Sequence, residues 1–288
     1  MSIVITGASG HLGRRVVDEV LDRVEPRELI PVTRNPRQLA EYAERGAGVR
    51  RGDFDDPGTL FDAFTGGDRL LLISTDALGS RIRQHHAAID AAVAAGVRHV
   101  VYTSIVRPEA DNPAAVVPEH RATEEKILAS GLEWTFLRHS IYADLEAGNQ
   151  AAALATGQLV TNAGPGRIAY VARDDCAAAA AAVITGGDHA ARAYDITGPE
   201  LLDAAARAAL FAELGGSPVE VVQVDDEHYA AGLAEAAGLP LESARLYGSF
   251  GRAAREGYLD VLSSDFETLT GRAPQALGSV LAGATATA

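Results

Sequence analysis

Two periods of apolar and polar positions alternate along the first half of the chain. Short runs of apolar, largely β-branched residues at 3–6, 29–33, 49–51, 69–74, 99–103 and 134–138 have the length and composition of buried strands. The stretches between them carry apolar residues at helical spacing and predict helices over 11–23, 36–45, 57–64, 81–95 and 118–129. Asn35-Pro36 and Asp56-Pro57 open two of these helices, while Gly46, Gly96 and Gly131 close others. Six strands joined by five helical crossovers predict an α/β protein with a doubly wound parallel sheet, whose ligands sit at the carboxyl ends of the strands. After Arg138 the alternation loosens. Residues 163–167 form a Gly/Pro turn, 173–185 a helix and 194–197 a seventh strand rejoining the sheet. Two further helices, 201–214 and 227–237, flank a strand at 219–224, and the Ala/Thr tail 282–288 is expected to be loose.

Composition narrows the classes. With 288 residues, 47% of them hydrophobic and 22% charged, the chain can bury a large core. No apolar run reaches membrane-spanning length. A net charge of −14 argues against a general nucleic-acid surface, which needs clustered cations. Cys176 is the single cysteine, so no intrachain disulfide can form, and its Ala-rich helical surroundings predict a buried, inert thiol. The first strand begins at the N-terminus with no basic, apolar leader ahead of it, which places the protein in the cytoplasm as an expectation.

The first strand runs directly into Gly7, Gly10 and Gly13 and then into an amphipathic helix. In that context Gly7 allows the turn, Gly10 the approach of a pyrophosphate and Gly13 close helix–strand packing, with the helix N-terminus aimed at the phosphates. Ser9 can add a hydroxyl donor, and His11 and Leu12 lie beneath the cofactor. The Gly-x-x-Gly-x-x-Gly spacing resembles that of the short-chain dehydrogenase/reductase superfamily, of Rossmann type. The ordered set TGASGHLG, VTRNP, RGDFDDP, LLIST, GVRHVVYTS and SGLEWTFLR resembles its atypical NmrA-like branch, above all the type 2 NAD(P)H:quinone oxidoreductases and the triphenylmethane reductases. The loosening of the alternation after Arg138 divides the chain into a dinucleotide-binding core over 1–140, rejoined by about 168–197, and a smaller α+β portion over 141–167 and 198–288 expected to cover the substrate side of the cofactor.

An acidic residue ending the second strand would select NAD, because a carboxylate repels the additional phosphate of NADP. Here Arg34 stands there, a planar cation suited to that phosphate, followed by Asn35 as a second contact, so the expected cofactor is NADPH. The resemblance puts Asp53 and Phe54 around the adenine, although Asp53 can equally cap the helix opening at Pro57. Strand-end position places Ile73, Ser74, Thr75, Thr103 and Ser104 beside the nicotinamide ribose.

Typical reductases of this superfamily polarise a carbonyl with a Tyr whose pKa is lowered by a Lys four residues on. The sole lysine, Lys126, has no tyrosine at that spacing, and the corresponding helix positions hold residues near Val117 and Arg121. Three readings follow. Hydride passes to an acceptor that needs little acid catalysis, such as a quinone or a conjugated aromatic carbonyl, with a ketoreductase acting on a polyaromatic secondary metabolite as the enzymatic alternative. Or a substitute acid exists, His120 first, then Tyr142 and His139, the latter two lining the substrate site with Ser140. Or the chain binds NADP(H) without turnover, as a sensor acting through a protein partner. His85 and His86 are adjacent on a helix and point to different faces, which argues against a metal. Glu124, Glu125 and Lys126 read as a solvated helix face. Oligomeric state is left open.

Overall fold

The computed structural model describes residues 1–286. Its strands are β1 (Ile3–Ile5), β2 (Leu29–Thr33), β3 (Arg50–Arg51), β4 (Arg69–Leu72), β5 (His99–Ile105), β6 (Glu133–His139), β7 (Gln158–Thr161), β8 (Arg192–Ile196) and β9 (Glu220–Gln223). Seven of them form one parallel sheet in the order β3-β2-β1-β4-β5-β6-β8, the doubly wound arrangement expected from the sequence, while β7 and β9 pair in parallel as a separate ribbon.

Successive strand residues feed opposite faces. Ile3, Ile5, Leu71, Val101 and Leu137 join one apolar cluster, and Val4, Leu70, Leu72, Val100 and Phe136 the other. Burial on both faces explains why these strands read as continuous apolar runs. The first face is covered by α1 (His11–Leu21) and α7 (Arg173–Thr185), the second by α3 (Leu60–Phe64), α4 (Arg81–Ala94) and α5 (Val117–Leu128). Alanines 177–181 of α7 are all buried, and their small size lets this helix lie close on the sheet at β4 and β5, with α1 on one side and α11 (Asp265–Thr270) also packed against it. Cys176 is buried there too, as expected, and burial pushes its thiol pKa well up.

Pro36 and Pro57 each start a 3₁₀ turn, so the helices expected over 36–45 and 57–64 become such turns followed by short α2 (Ala40–Glu44) and α3. The Asn35 side chain accepts from Arg37 N, whereas Asp56 makes no side-chain cap.

A third cluster belongs to the C-terminal lobe, built from α6 (Glu146–Thr156), α8 (Ala204–Gly215), α9 (Asp226–Ala237), α10 (Leu241–Arg255) and α12 (Leu277–Ala286) together with the β7–β9 ribbon, whereas α11 packs on α7 and β8 with Phe266 in the first cluster. Two expectations are corrected. The tail is helical through Ala286, with Leu277 and Leu281 buried in the lobe core, and only residues 287–288 lie outside the described residues. Glu124 is buried, because the Arg138 guanidinium on β6 donates to both of its oxygens at 3.1 and 2.7 Å; Glu125 does face solvent, paired with Arg121.

Candidate active site

The loop after β1 has the geometry a dinucleotide needs. Gly7 sits at φ +61°, a left-handed conformation that favours glycine. A Cβ on Gly13 would stand 2.1 Å from the Gly7 carbonyl oxygen and 2.8 Å from Ala8 Cα, so helix and loop touch backbone to backbone. The α1 ladder begins with Arg14 N–H donating to the Gly10 carbonyl, which leaves the amides of His11, Leu12 and Gly13 free. The first turn carries no acidic residue. Ser9 Oγ lies 2.8 Å from Thr33 Oγ1 at the end of β2, tying the loop to the strand that leads to Arg34. Arg34 is exposed and makes no hydrogen bond or ion pair within the described chain. Three open amides, a backbone cradle and an unpaired guanidinium beyond β2 fit a phosphorylated dinucleotide.

Asp53 forms a tight turn, its Oδ1 accepting from Asp55 N, and does not cap the helix after Pro57. Phe54 packs edge-on to His85 with ring centroids 6.3 Å apart. At the end of β4, Ser74 N–H donates to Thr103 Oγ1 at 2.9 Å, joining two strand ends. Thr75 is fixed on three sides: its N–H donates to His85 Nε2, its hydroxyl to Gln84 Oε1, and its carbonyl accepts from Arg81 Nε.

Beyond these strand ends lies a cavity of about 500 Å³, closed by the C-terminal lobe. Its sheet side holds Ser74, Ser104, His120, His139, Ser140 and Tyr142. Thr75 and Thr103, expected beside them, stand behind the wall and hold it in place. Three buried polar atoms here have no partner among the described residues: Ser104 Oγ, His139 Nε2 and Ser140 Oγ. Buried polar groups ordinarily pair, so three orphans converging on one cavity mark where a ligand's polar atoms belong.

The two candidate acids differ. His120 Nδ1 lies 2.8 Å from the Tyr102 hydroxyl, and Arg81 Nη1 lies 3.3 Å from Nε2. Arginine only donates, so Nε2 accepts, the proton sits on Nδ1, and burial beside that cation holds the imidazole neutral. Both nitrogens are thus engaged inside the protein. His139 Nδ1 lies 3.1 Å from Tyr142 Oη, and Arg173 stacks 4.9 Å from the Tyr142 ring centroid. Burial lowers the His139 pKa to about 4 and pushes the Tyr142 phenol up. In either tautomer of this pair one proton stays uncommitted: Nε2–H if the phenol donates to Nδ1, the phenol O–H if Nδ1 donates to it.

Sequence reasoning missed Arg81, which opens α4 yet is buried and lies 3.5 Å from Glu119. The available signal was a cation in a helix first turn, where the dipole disfavours it. It also missed Glu146 and Arg207, buried and ion-paired in the cavity wall. Glu146, Gln150 and Ala153 share the buried face of α6, and polar residues on an inward face were the signal there.

A phosphate-ready loop after the first strand, an unpaired cation after the second and a ligand cavity at the carboxyl ends of the fourth to sixth strands together define a dinucleotide-dependent enzyme of the Rossmann class. The chain belongs to the NAD(P)H-binding family, whose model matches residues 7–186, and is an NAD(P)H-dependent oxidoreductase of the NmrA-like branch. It is 35% identical to quinone oxidoreductase 2 of Escherichia coli over 238 residues, covering 83% of this chain and 82% of that protein. The crystal structure of an NADPH-dependent quinone oxidoreductase from E. coli complexed with NADPH superposes with a TM-score of 0.94 at 32% identity, over 98% of this chain and 99% of that one. The Citrobacter sp. triphenylmethane reductase complexed with NADP(H) gives 0.92 at 31% identity, over 98% and 100%. Among the described residues no helix is long and apolar enough to cross a membrane.

Proposed function

We propose that the protein is an NADPH-dependent reductase that delivers hydride to a quinone or a related conjugated aromatic carbonyl bound between the strand ends and the C-terminal lobe. The observation that carries this reading is the convergence of Ser104 Oγ, His139 Nε2 and Ser140 Oγ, all unpaired among the described residues, on one largely apolar cavity at the carboxyl ends of β5 and β6. Flat conjugated acceptors need an apolar slot with a few hydrogen-bonding groups. The names of the relatives, a quinone reductase and a dye reductase, point the same way.

The reaction balances as quinone plus NADPH plus a proton giving hydroquinone and NADP⁺. The nicotinamide supplies the hydride when bound. The chain's own part is to orient the acceptor through Ser104 and Ser140 and to hold a proton at the Tyr142–His139 pair, in the absence of a Tyr-Lys acid. His120, locked between Tyr102 and Arg81, is a positioning residue that keeps the Arg81 charge against the cavity wall. Arg34 and Asn35 receive the adenosine 2′-phosphate, with Asp53 and Phe54 along the adenine.

The test is steady-state loss of NADPH absorbance with a quinone panel, on wild type and Arg34→Ala. The expected result is turnover, with KM for NADPH raised about 10- to 100-fold in the variant, from the loss of roughly 1.5–3 kcal/mol of charged hydrogen bonding. NADH, which lacks the phosphate, is expected to change far less. An unaltered NADPH preference overturns the cofactor assignment. Tight NADPH binding without oxidation by any acceptor replaces the reductase with a sensor.

A further inference from the structure

The lobe side of the cavity contains something an apolar ring would not require. Glu146 at the start of α6 and Arg207 on α8 are ion-paired with side-chain exposures of only 5% and 9%. Arg207 donates from both Nε and Nη2 to Glu146 Oε2, and Asn149 Nδ2 donates to Oε1 at 2.8 Å. The guanidinium stands 5.3 Å from the Tyr170 ring centroid and 5.9 Å from that of Phe211, which fixes its plane. Tyr229 of α9 lines the same wall, and its hydroxyl has no hydrogen-bond partner among the described residues.

Burying an ion pair costs desolvation that the mutual attraction rarely exceeds, and an apolar pair of the same volume would hold the helices together as well or better. A pair placed in a ligand cavity is therefore best explained by what it binds. The cluster has no net charge. It offers donors, at the remaining guanidinium N–H groups and the Tyr229 hydroxyl, and acceptors, at Glu146 Oε1 and the Asn149 carbonyl oxygen. A carboxylate placed here would face Glu146, and an ammonium would face Arg207. A neutral hydroxyl, which donates and accepts at once, satisfies both halves.

We propose that Glu146, Asn149, Arg207 and Tyr229 form a hydroxyl-recognition subsite, so that the acceptor is a neutral aromatic quinone or ketone bearing a hydroxyl on the part of its ring system directed away from the carbonyl that takes the hydride. The inference rests on the reductase reading for the word acceptor, while the subsite itself is a matter of binding.

Calorimetric titration of the NADP⁺-loaded protein measures it apart from turnover. The probes are unsubstituted naphthoquinone, a naphthoquinone with a hydroxyl on the ring remote from the carbonyls, and one with a carboxylate at that position. The expected result is that the hydroxylated probe binds about tenfold tighter than the other two, as for a site built to pair a substrate hydroxyl. In the Glu146→Leu/Arg207→Leu double variant this ratio is expected to fall to about twofold or less. Should that variant fail to fold, Tyr229→Phe, which removes one polar atom, is expected to lower the ratio roughly threefold. A wild-type ratio near one, a preference for the carboxylate, or a ratio unchanged in the variant that folds overturns the proposal. Failure of every quinone to oxidise NADPH would instead count against the reductase reading, leaving the binding ratio to decide the subsite.

Discussion

Gly13 shows how much a single hydrogen in place of a side chain can decide. The methyl group of Gly13→Ala would meet the Gly7 carbonyl oxygen at 2.1 Å, and relief requires α1 to move off the loop. Overpacking of this kind costs about 1–3 kcal/mol, and here it also displaces the open amides. The variant is expected to melt several degrees lower and to bind NADPH more than tenfold weaker, checked by thermal denaturation and cofactor titration. Retention of wild-type affinity would show that the amides do not face the pyrophosphate. Gly7 and Gly13 were legible because local spacing determines their backbone geometry. Glu146 and Arg207 were not: they lie 61 positions apart, and neither has meaning without the other. His120 was legible as a candidate, but the sequence gives no sign that Arg81, 39 positions away, holds its Nε2.

At the scale of elements, the strands feeding both faces of the main sheet were readable to within a residue or two, since double burial leaves continuous apolar runs. The lobe was harder. Helix α6 puts Glu146 and Gln150 on its buried face, and β7 alternates buried Leu159 and Thr161 with exposed neighbours over only four residues, too short a span for periodicity to speak. Helix α7 was found at its true bounds, and its packing yields a prediction. Ala180 is fully buried, whereas Ala182 is half-buried. Ala180→Leu is expected to cost about 1–3 kcal/mol by forcing α7 off α1 or the sheet, and Ala182→Leu distinctly less. Chemical denaturation of the pair checks this; equal costs would mean that α7 is not clamped on both sides.

The whole molecule carries an acid sensitivity that no single site reveals. Burial lowers the pKa of His85 to about 3 and of His139 to about 4, and holds His120 well below its ordinary value. In the unfolded chain each histidine takes up its proton near pH 6.5, while the native protein resists it, so the unfolded state binds more protons and stability falls as pH drops below about 6.5. The slope is at most about 1.4 kcal/mol per pH unit for each of these groups, before most carboxylates begin to titrate. Denaturation midpoints measured from pH 7.5 to 5 should fall steadily below 6.5. A flat profile would show that these rings are not held neutral.

Quinones are electrophiles that arylate exposed thiolates and amines. The only thiol here is buried behind α1 and kept protonated, and the only lysine, Lys126, holds its ammonium 2.6 Å from Asp90. An oxidoreductase with that inventory presents electrophiles with almost no soft nucleophile, and is expected to keep its activity during incubation with a quinone that arylates an exposed thiol.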